Sequence, residues 1–265
     1  KNINELISVG IQLKKERGTE KQKPLLAGKN LAMLFDKPSL RTRFSFSIAM
    51  AELGGFSTES VSSNRKQEEP EDFGRVLMGY SHGIMVRTYE EDFIERLASV
   101  SKVPVINGLS NLHHPCQILA DLMTLKESFG ELKGLTLTYI GDGNNILHSL
   151  LLMSPMVGVN VHYCCPDDYQ PNALLLKKSK MRAQENNTKI VSFKSVDKSV
   201  EGAHAVYTDV WTSMGYEKEE KEREEAFDGF QVNEALMAKA APNAVVIRCL
   251  PMVRGKEIST TLPEQ

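Results

Sequence analysis

The amino-acid sequence predicts an α/β protein of two domains, each a mainly parallel sheet flanked by helices. Its 265 residues are enough for two domains with separate hydrophobic cores. Short apolar runs, which indicate strands, alternate with segments of helical apolar spacing along the chain. A polar segment with two glycines, residues 129–134, interrupts this alternation near the middle. We therefore predict one domain over residues 1–129 and a second over residues 130–265.

Composition and charge exclude several classes of function. The net charge of −2 offers no excess of positive charge to displace counterions from a nucleic acid. No apolar run approaches the roughly 18 residues that span a bilayer, and no secretory signal pattern opens the chain. The four cysteines form no C-x-x-C pair, so we expect reduced thiols and no metal site. We expect a cytoplasmic protein, or one of the mitochondrial matrix if a transit peptide has been removed before Lys1.

The first predicted strand is followed by a loop with the composition of an anion site. Residues 2–15 have amphipathic helical spacing, and residues 31–35 form an apolar run. Helical spacing then runs from Phe44 through Phe46 and Ala49 to Leu53. A helix start has N–H groups without intrahelical partners and the positive end of the helix dipole, which together attract anions. The residues around that start are Ser39, Leu40, Arg41, Thr42 and Arg43. The alternative is a capped helix followed by solvated arginines.

Two further strand ends in the first half carry functional groups. The predicted elements are strands over residues 56–61, 83–88 and 103–108, with helices over residues 70–80 and 91–100. Arg87 stands at the carboxyl end of its strand, where ligands bind in parallel sheets. His114 precedes Pro115 at the start of another helix, where it should stay neutral and polarise a carbonyl oxygen. A solvated arginine and a structural His-Pro turn are the alternatives.

The second half begins another series of strands and helices. Its predicted strands lie over residues 135–140, 161–165, 190–193, 205–208 and 245–247. Gly141 and Gly143 open the first turn, but Ile146 stands where a dinucleotide fingerprint needs a third glycine, so we discount a nicotinamide cofactor. Asn144 and Asn145 are then amide donors suited to a small carboxylate. We expect the charged segment 217–225 to be a solvated helix face.

Six motifs in this order resemble the aspartate/ornithine carbamoyltransferase family. The resemblance covers nearly the whole chain, and the last two motifs are typical of its ornithine branch. The motifs are Ser39-Leu40-Arg41-Thr42-Arg43, Arg87, His114-Pro115-Cys116-Gln117, Gly141-Asp142-Gly143-Asn144-Asn145, Asp209-Val210-Trp211-Thr212-Ser213-Met214-Gly215 and Arg248-Cys249-Leu250-Pro251.

The resemblance implies a carbamoyl-phosphate domain, an ornithine domain and an active site in the cleft between them. It implies transfer of a carbamoyl group from carbamoyl phosphate to the δ-amine of L-ornithine, without a metal or other cofactor, by a homotrimer. The implied catalytic residues are Arg87, His114 and Cys249. The implied carbamoyl-phosphate ligands are Ser39, Leu40, Arg41, Thr42, Arg87, His114, Gln117, Cys249 and Leu250. The implied ornithine ligands are Asn145, Asp209, Ser213 and Met214.

Four departures from the family pattern leave alternatives open. Leu40 replaces a threonine, and Arg248 replaces a histidine and is expected to add a charge beside the amine site. Residues 62–67 differ from the loop that reaches a neighbouring subunit, and Gln265 precedes the family's last helix with its carbamoyl-phosphate arginine. The alternatives are a carbamoyltransferase for another amine, such as acetylornithine or putrescine, and a catalytically weak homologue.

Overall fold

The chain forms two compact units in the computed structural model, which describes residues 3–61, 68–212 and 217–264. One unit is Ser8–Cys116, and the other is Gln117–Gln265 together with Lys1–Ile7. Each contains one sheet of parallel strands with flanking helices, so the predicted α/β class is confirmed. This division lies earlier in the chain than residue 129, and the domain bounds 1–129 and 130–265 stay a prediction.

The sheet of the Ser8–Cys116 unit has four parallel strands in the order β2-β1-β3-β4. The strands are β1 (Asn30–Phe35), β2 (Phe56–Val61), β3 (Gly83–Arg87) and β4 (Val105–Leu109). The helices that begin before or within this unit are α1 (Ile3–Glu16), α2 (Arg41–Glu52), α3 (Pro70–Tyr80) and α4 (Glu91–Val100). The central strands β1 and β3 are apolar on both faces because both faces are covered.

Helix α2 occurs where helical spacing predicted it, but its buried face differs from the predicted stripe. Phe44 is exposed, and Ala49 is exposed as well. Met50 is the buried residue of this helix, and Phe46 is partly buried against the same side of the sheet. The apolar spacing was therefore a valid helix signal, but of the predicted stripe in this helix only Phe46 packs against the core, and Met50 was not foreseen.

The second sheet has five parallel strands in the order β7-β6-β5-β8-β9. The strands are β5 (Thr136–Ile140), β6 (Asn160–Cys164), β7 (Ile190–Ser192), β8 (Ala205–Thr208) and β9 (Val245–Ile247). The helices are α5 (Pro115–Phe129), α6 (Asn145–Met153), α7 (Ala173–Glu185), α8 (Val196–Val200), α9 (Glu220–Ala226) and α10 (Glu234–Met237).

The turn after β5 owes one of its glycines to packing. A Cβ atom on Gly143 would lie 2.3 Å from the backbone carbon of Gln170, so no larger residue fits there. This accounts for a glycine of the apparent dinucleotide fingerprint without a cofactor.

Strand order places a topological switch point in each sheet. In the first sheet the chain reverses its direction of growth between β1 and β3, and in the second between β5 and β8. The loops that follow these strands diverge at the carboxyl edge, which is where α/β proteins bind ligands. No helix of the described residues is long and apolar enough to cross a membrane.

Candidate active site

The predicted anion loop lies at the switch point of the first sheet, between β1 and α2. Helix α2 begins at Arg41, and the Oγ of Ser39 accepts a hydrogen bond from the Thr42 N–H at 3.2 Å. Leu40 is 66% exposed and the Arg41 side chain is also exposed, so both remain available to a ligand in solvent. The helix start therefore combines a positive dipole end with accessible backbone and side-chain groups.

Arg87 is a buried cation at the carboxyl end of β3. Arg87 is 7% exposed, and its Nη1 donates to the Thr42 Oγ1 at 3.4 Å. No atom of the described residues accepts a hydrogen bond from its Nε, and no described carboxylate forms an ion pair with it. Burial lowers the pKa of the guanidinium, which reflects the free-energy cost of an uncompensated buried charge. Such a site favours an anionic ligand.

His114 lies in the loop between β4 and α5 and belongs to the same electrostatic environment. Burial, together with the charges of Arg87 and Lys37, lowers its pKa to about 4. The imidazole is therefore neutral at pH 7, as the sequence predicted, and one ring N–H can donate to a ligand oxygen. The neighbouring cations account for part of this shift; the sequence argument considered only the helix end.

Lys37 is a site residue that sequence reasoning missed. It is buried directly after β1, its Nζ donates to the Asn111 Oδ1 at 3.4 Å, and it lies 4.8 Å from the ring centroid of Tyr89. The only available signal was its position between a strand end and Pro38. With Arg87 it gives this unit two buried cations near one neutral histidine.

In the second unit, Asn144 begins α6 and organises the turn after β5. Its Oδ1 accepts from the backbone N–H groups of Ile146 and Leu147 at 3.0 and 3.2 Å, which caps the helix. Its Nδ2 donates to the Asp209 Oδ2 at 2.8 Å. Asn144 is thus an amide donor at a helix start, but the carboxylate that it contacts belongs to the protein itself, and donation to a ligand carboxylate stays a prediction. Asn145, the first residue of α6, is half-buried.

Asp209 is buried directly after β8 and connects three predicted motifs. It is 5% exposed, and its Oδ1 accepts from the Cys249 Sγ at 3.0 Å while its Oδ2 accepts from Asn144. Burial raises the pKa of the Asp209 carboxyl. Burial and the Asp209 charge also raise the pKa of the Cys249 thiol, so at neutral pH it is an S–H donor and not a thiolate.

The expected extra charge of Arg248 is neutralised. Arg248 forms an ion pair with Glu257, which is 1% exposed, and its Nε donates to the Cys249 carbonyl oxygen at 2.9 Å. Its Nη2 donates to the Pro251 carbonyl oxygen. The guanidinium therefore holds the turn after β9, and it lowers the pKa values of Asp209 and Cys249 against the larger effect of burial. Its effect on the amine site stays a prediction. Glu257 lies nine residues from Arg248, and no motif pointed to it.

Gln117 lies in the first turn of α5, and its amide contacts a buried carboxylate. Its Nε2 donates to the Asp121 Oδ1 at 3.0 Å, and the Tyr207 hydroxyl donates to the Asp121 Oδ2 at 3.0 Å. Burial raises the pKa of Asp121 to about 7. Sequence reasoning missed Asp121 and Tyr207, although an aspartate within the apolar face Ile118–Leu125 was a usable signal.

The charged segment 217–225 is not entirely a solvated face, because Arg223 turns inward. Arg223 is 5% exposed. Its Nη1 donates to the Asp142 Oδ2 at 2.9 Å and to the Trp211 carbonyl oxygen at 3.0 Å. Arg223 thereby connects the turn after β5 to the loop after β8. The expectation failed because a local charge pattern does not reveal a carboxylate 81 residues away.

The predicted roles of Ser213, Met214 and Leu250, and that of the divergent loop, are not tested by these contacts. Ser213 and Met214 lie outside the described residues, as does the divergent loop 62–67. Leu250 follows Cys249 in the turn after β9 and is half-exposed. Within the described parts of the chain, no cluster of three or more His, Cys, Asp or Glu residues is arranged to hold a metal ion.

The fold and the contacts define a two-domain α/β protein with an anion site in one unit and a buried carboxylate–thiol site in the other. Residues 1–127 match the carbamoyl-P binding domain of aspartate/ornithine carbamoyltransferase, and residues 133–265 match its Asp/Orn binding domain. The chain belongs to the aspartate/ornithine carbamoyltransferase family, as the sequence motifs indicated.

Individual relatives agree with this assignment. The ornithine carbamoyltransferase of Methanobrevibacter smithii is 44% identical, over 92% of this chain and 82% of its own length. The structure of ornithine carbamoyltransferase from Pyrococcus furiosus has a TM-score of 0.93 at 40% identity, covering 98% of this chain and 84% of that one. An N-acetyl-L-ornithine transcarbamylase structure has a TM-score of 0.87 at 25% identity, covering 99% of this chain and 89% of that one.

Proposed function

We propose that this chain transfers the carbamoyl group of carbamoyl phosphate to the δ-amine of L-ornithine, giving L-citrulline and phosphate. The observation that carries the proposal is the buried Arg87 guanidinium beside Thr42 and the neutral His114. It lies in the region that matches a carbamoyl-P binding domain. The ornithine carbamoyltransferases among its relatives support ornithine as the acceptor.

In the first unit, the start of α2 binds the phosphate. The backbone N–H groups at Ser39, Leu40, Arg41 and Thr42 surround the phosphate oxygens, and Arg41 adds a charge-assisted hydrogen bond. Arg87 and His114 donate to the carbamoyl oxygen, where negative charge develops as the amine attacks. A neutral His114 suits this role because its ring N–H can donate a hydrogen bond while the imidazole carries no second, more acidic proton.

In the second unit, Asp209 binds the α-ammonium group of ornithine and Asn145 binds its carboxylate, with Ser213 and Met214 completing the set. The carboxylate of Asp209 has acceptor capacity beyond its bonds from Asn144 and Cys249. Gln117 and the backbone carbonyls of Cys249 and Leu250 bind the carbamoyl amino group, and Cys249 lies beside the reacting amine. Fixing the α-amine leaves only the δ-amine to reach the carbamoyl carbon.

The δ-amine must lose a proton before it attacks. Its free pKa resembles that of lysine, about 10.4, so an unprotonated amine at pH 7 costs roughly 4–5 kcal/mol. Desolvation in the site and the nearby cations lower that pKa and reduce the cost. The amine then attacks the carbonyl carbon and the C–O bond to phosphate breaks. The attacking nitrogen gives its second proton to the departing phosphate, which leaves as the hydrogen phosphate dianion.

The decisive experiment is a citrulline assay with carbamoyl phosphate and three acceptors: ornithine, acetylornithine and putrescine. We expect product from ornithine. Product only from another acceptor would overturn the choice of substrate, and no product from any of the three would overturn the proposed activity. The charged head-group partner Asp209 favours ornithine over acetylornithine, whose α-nitrogen is an uncharged amide. The cytoplasmic location, the homotrimer and a role in arginine biosynthesis stay predictions.

A further inference from the structure

Asp121 occupies an unusual position within the apolar face of α5. It is 5% exposed, and each of its carboxylate oxygens accepts one hydrogen bond, from the Gln117 Nε2 and from the Tyr207 hydroxyl, both at 3.0 Å. Gln117 lies four residues earlier on the same helix, so the two side chains are neighbours on one face. A buried carboxylate costs free energy unless its hydrogen bonds are made, so these two donors are well suited to keeping it in place.

The ionised carboxylate determines which way the Gln117 amide faces. A carboxylate only accepts hydrogen bonds, whereas an amide has a donating NH₂ group and an accepting oxygen. The amide must therefore turn its Nε2 toward Asp121, which leaves its Oε1 facing away from the carboxylate. Without a charged partner of this kind, the two orientations of a glutamine amide are close in energy and shape.

We propose that Asp121 is a positioning residue that fixes the Gln117 amide so that its Oε1 accepts a hydrogen bond from the ligand's amino group. This gives the site its preference for a carbamoyl group over an acetyl group, because the two differ only in an amino group against a methyl group. The inference rests on the proposed function, which assigns the carbamoyl amino group to Gln117. It adds the residue that determines how Gln117 recognises that group.

The test uses two hydrolysis-resistant phosphonates of the same shape. Phosphonoacetamide carries the amino group, and acetonylphosphonate carries a methyl group in its place. Their dissociation constants are measured by titration calorimetry on the full chain at pH 9, well above the Asp121 pKa of about 7, so that the carboxyl stays ionised even when a hydrogen bond that lowers this pKa is removed. For the unmodified protein we expect the amide to bind about tenfold more tightly, the value of roughly one hydrogen bond. Equal affinities in the unmodified protein would overturn the proposal.

Asp121→Asn removes the constraint while it keeps the side-chain volume. An asparagine can either accept from or donate to Gln117, so both amide orientations become available and the affinity ratio should fall to within about threefold. Tyr207→Phe is the matched control, because it removes the other hydrogen bond to Asp121 and leaves the Gln117 contact in place. It should retain the tenfold ratio. A ratio that stays at tenfold in Asp121→Asn, or that falls equally in Tyr207→Phe, would contradict the proposal.

Two further measurements keep the outcome interpretable. Gln117→Met retains the length of the side chain without a comparable acceptor, so it should lose the preference even if Asp121→Asn does not fold. A preference that survives in Gln117→Met would overturn the proposal. The citrulline assay on the unmodified protein tests the proposed function separately, since the affinity ratio does not depend on turnover.

Discussion

The two units bury different kinds of ionisable group near their candidate sites. In the Ser8–Cys116 unit, the buried cations are Lys37 and Arg87, and the pKa of His114 is lowered. In the unit from Gln117 onward, Asp121 and Asp209 are buried carboxyl groups with raised pKa values, and the buried arginines are paired with carboxylates. Burial is the largest cause in each case, and it always disfavours the charged form. The same physical effect therefore yields a neutral hydrogen-bond donor in one unit and carboxyl groups with raised pKa values in the other.

The two sites also differ in how far their hydrogen bonds are satisfied. The Nε of Arg87 has no acceptor among the described residues, so this site is organised for a group that the protein does not supply. Asp209 already accepts from both Asn144 and Cys249. An ammonium ligand must share the Asp209 carboxylate with these donors. We therefore expect the anion site to lose more binding and rate on mutation than the carboxylate site.

The largest effect is expected at Arg87. Arg87→Met keeps the aliphatic stem and removes the donors to the carbamoyl oxygen, so kcat/KM for carbamoyl phosphate should fall about 10²–10³-fold, as when an oxyanion donor is removed. Arg75→Met is the control, since Arg75 is an exposed arginine of the same unit that pairs only with Asp72 among the described residues. Steady-state kinetics measure both. A loss below tenfold in Arg87→Met would contradict the anion-site assignment.

A smaller, ligand-selective effect is expected at Asp209. Asp209→Asn removes the charge that binds the α-ammonium group, so KM for ornithine should rise by roughly 10- to 150-fold, the equivalent of about 1.5–3 kcal/mol. The KM for carbamoyl phosphate should stay within about twofold. Initial rates with each substrate varied in turn make the measurement. If both KM values rise together, the two units do not have separate ligands.

His114 should make the folded protein less stable in acid. Its folded pKa of about 4 lies below the unfolded value near 6.5, so the unfolded chain binds more protons between these values. Stability is therefore lost as the pH falls through that window, by about 2 kcal/mol at pH 5. His114→Gln removes this loss. In urea unfolding, the free energy of unfolding of the variant should therefore rise relative to that of the unmodified protein as the pH falls from 7 to 5. A constant difference between the two would contradict a buried neutral histidine.

A pH dependence of opposite sign and comparable size is expected at Asp121. Its folded pKa of about 7 lies above the unfolded value near 3.9, so the folded protein binds more protons between them and stability is lost as the pH rises through that window. Asp121→Asn should therefore gain stability relative to the unmodified protein from pH 5 to pH 7.5, by roughly 2–3 kcal/mol. The same urea unfolding experiment measures this difference. If Asp121→Asn instead gained stability relative to the unmodified protein as the pH falls, the raised pKa of Asp121 would be contradicted.

Much of the fold and the approximate position of each site followed from local patterns. Strands and helices occur where alternation of apolar runs predicted them, and Arg87, His114, Asn145, Asp209 and Cys249 all lie at or just after the ends of predicted elements. Local patterns did not reveal pairing between distant parts of the chain. Arg223 was expected on a solvated face but is bonded to Asp142, and the carboxylate partners of Asn144 and Arg248 were not foreseen.

The sequence by itself determined the α/β class, the family and which strand ends carry chemistry, because periodicity, turn composition and motif order are properties of neighbouring residues. Only the tertiary structure decided which groups meet. Asp209 and Cys249 are brought together because β8 and β9 are adjacent in the sheet, and Asn144 joins them because β5 lies on the other side of β8. The Gln117 amide acquires its direction from Asp121, whose second oxygen bonds to Tyr207, 86 residues later. Such pairings depend on strand order and register, which no local stretch of sequence encodes.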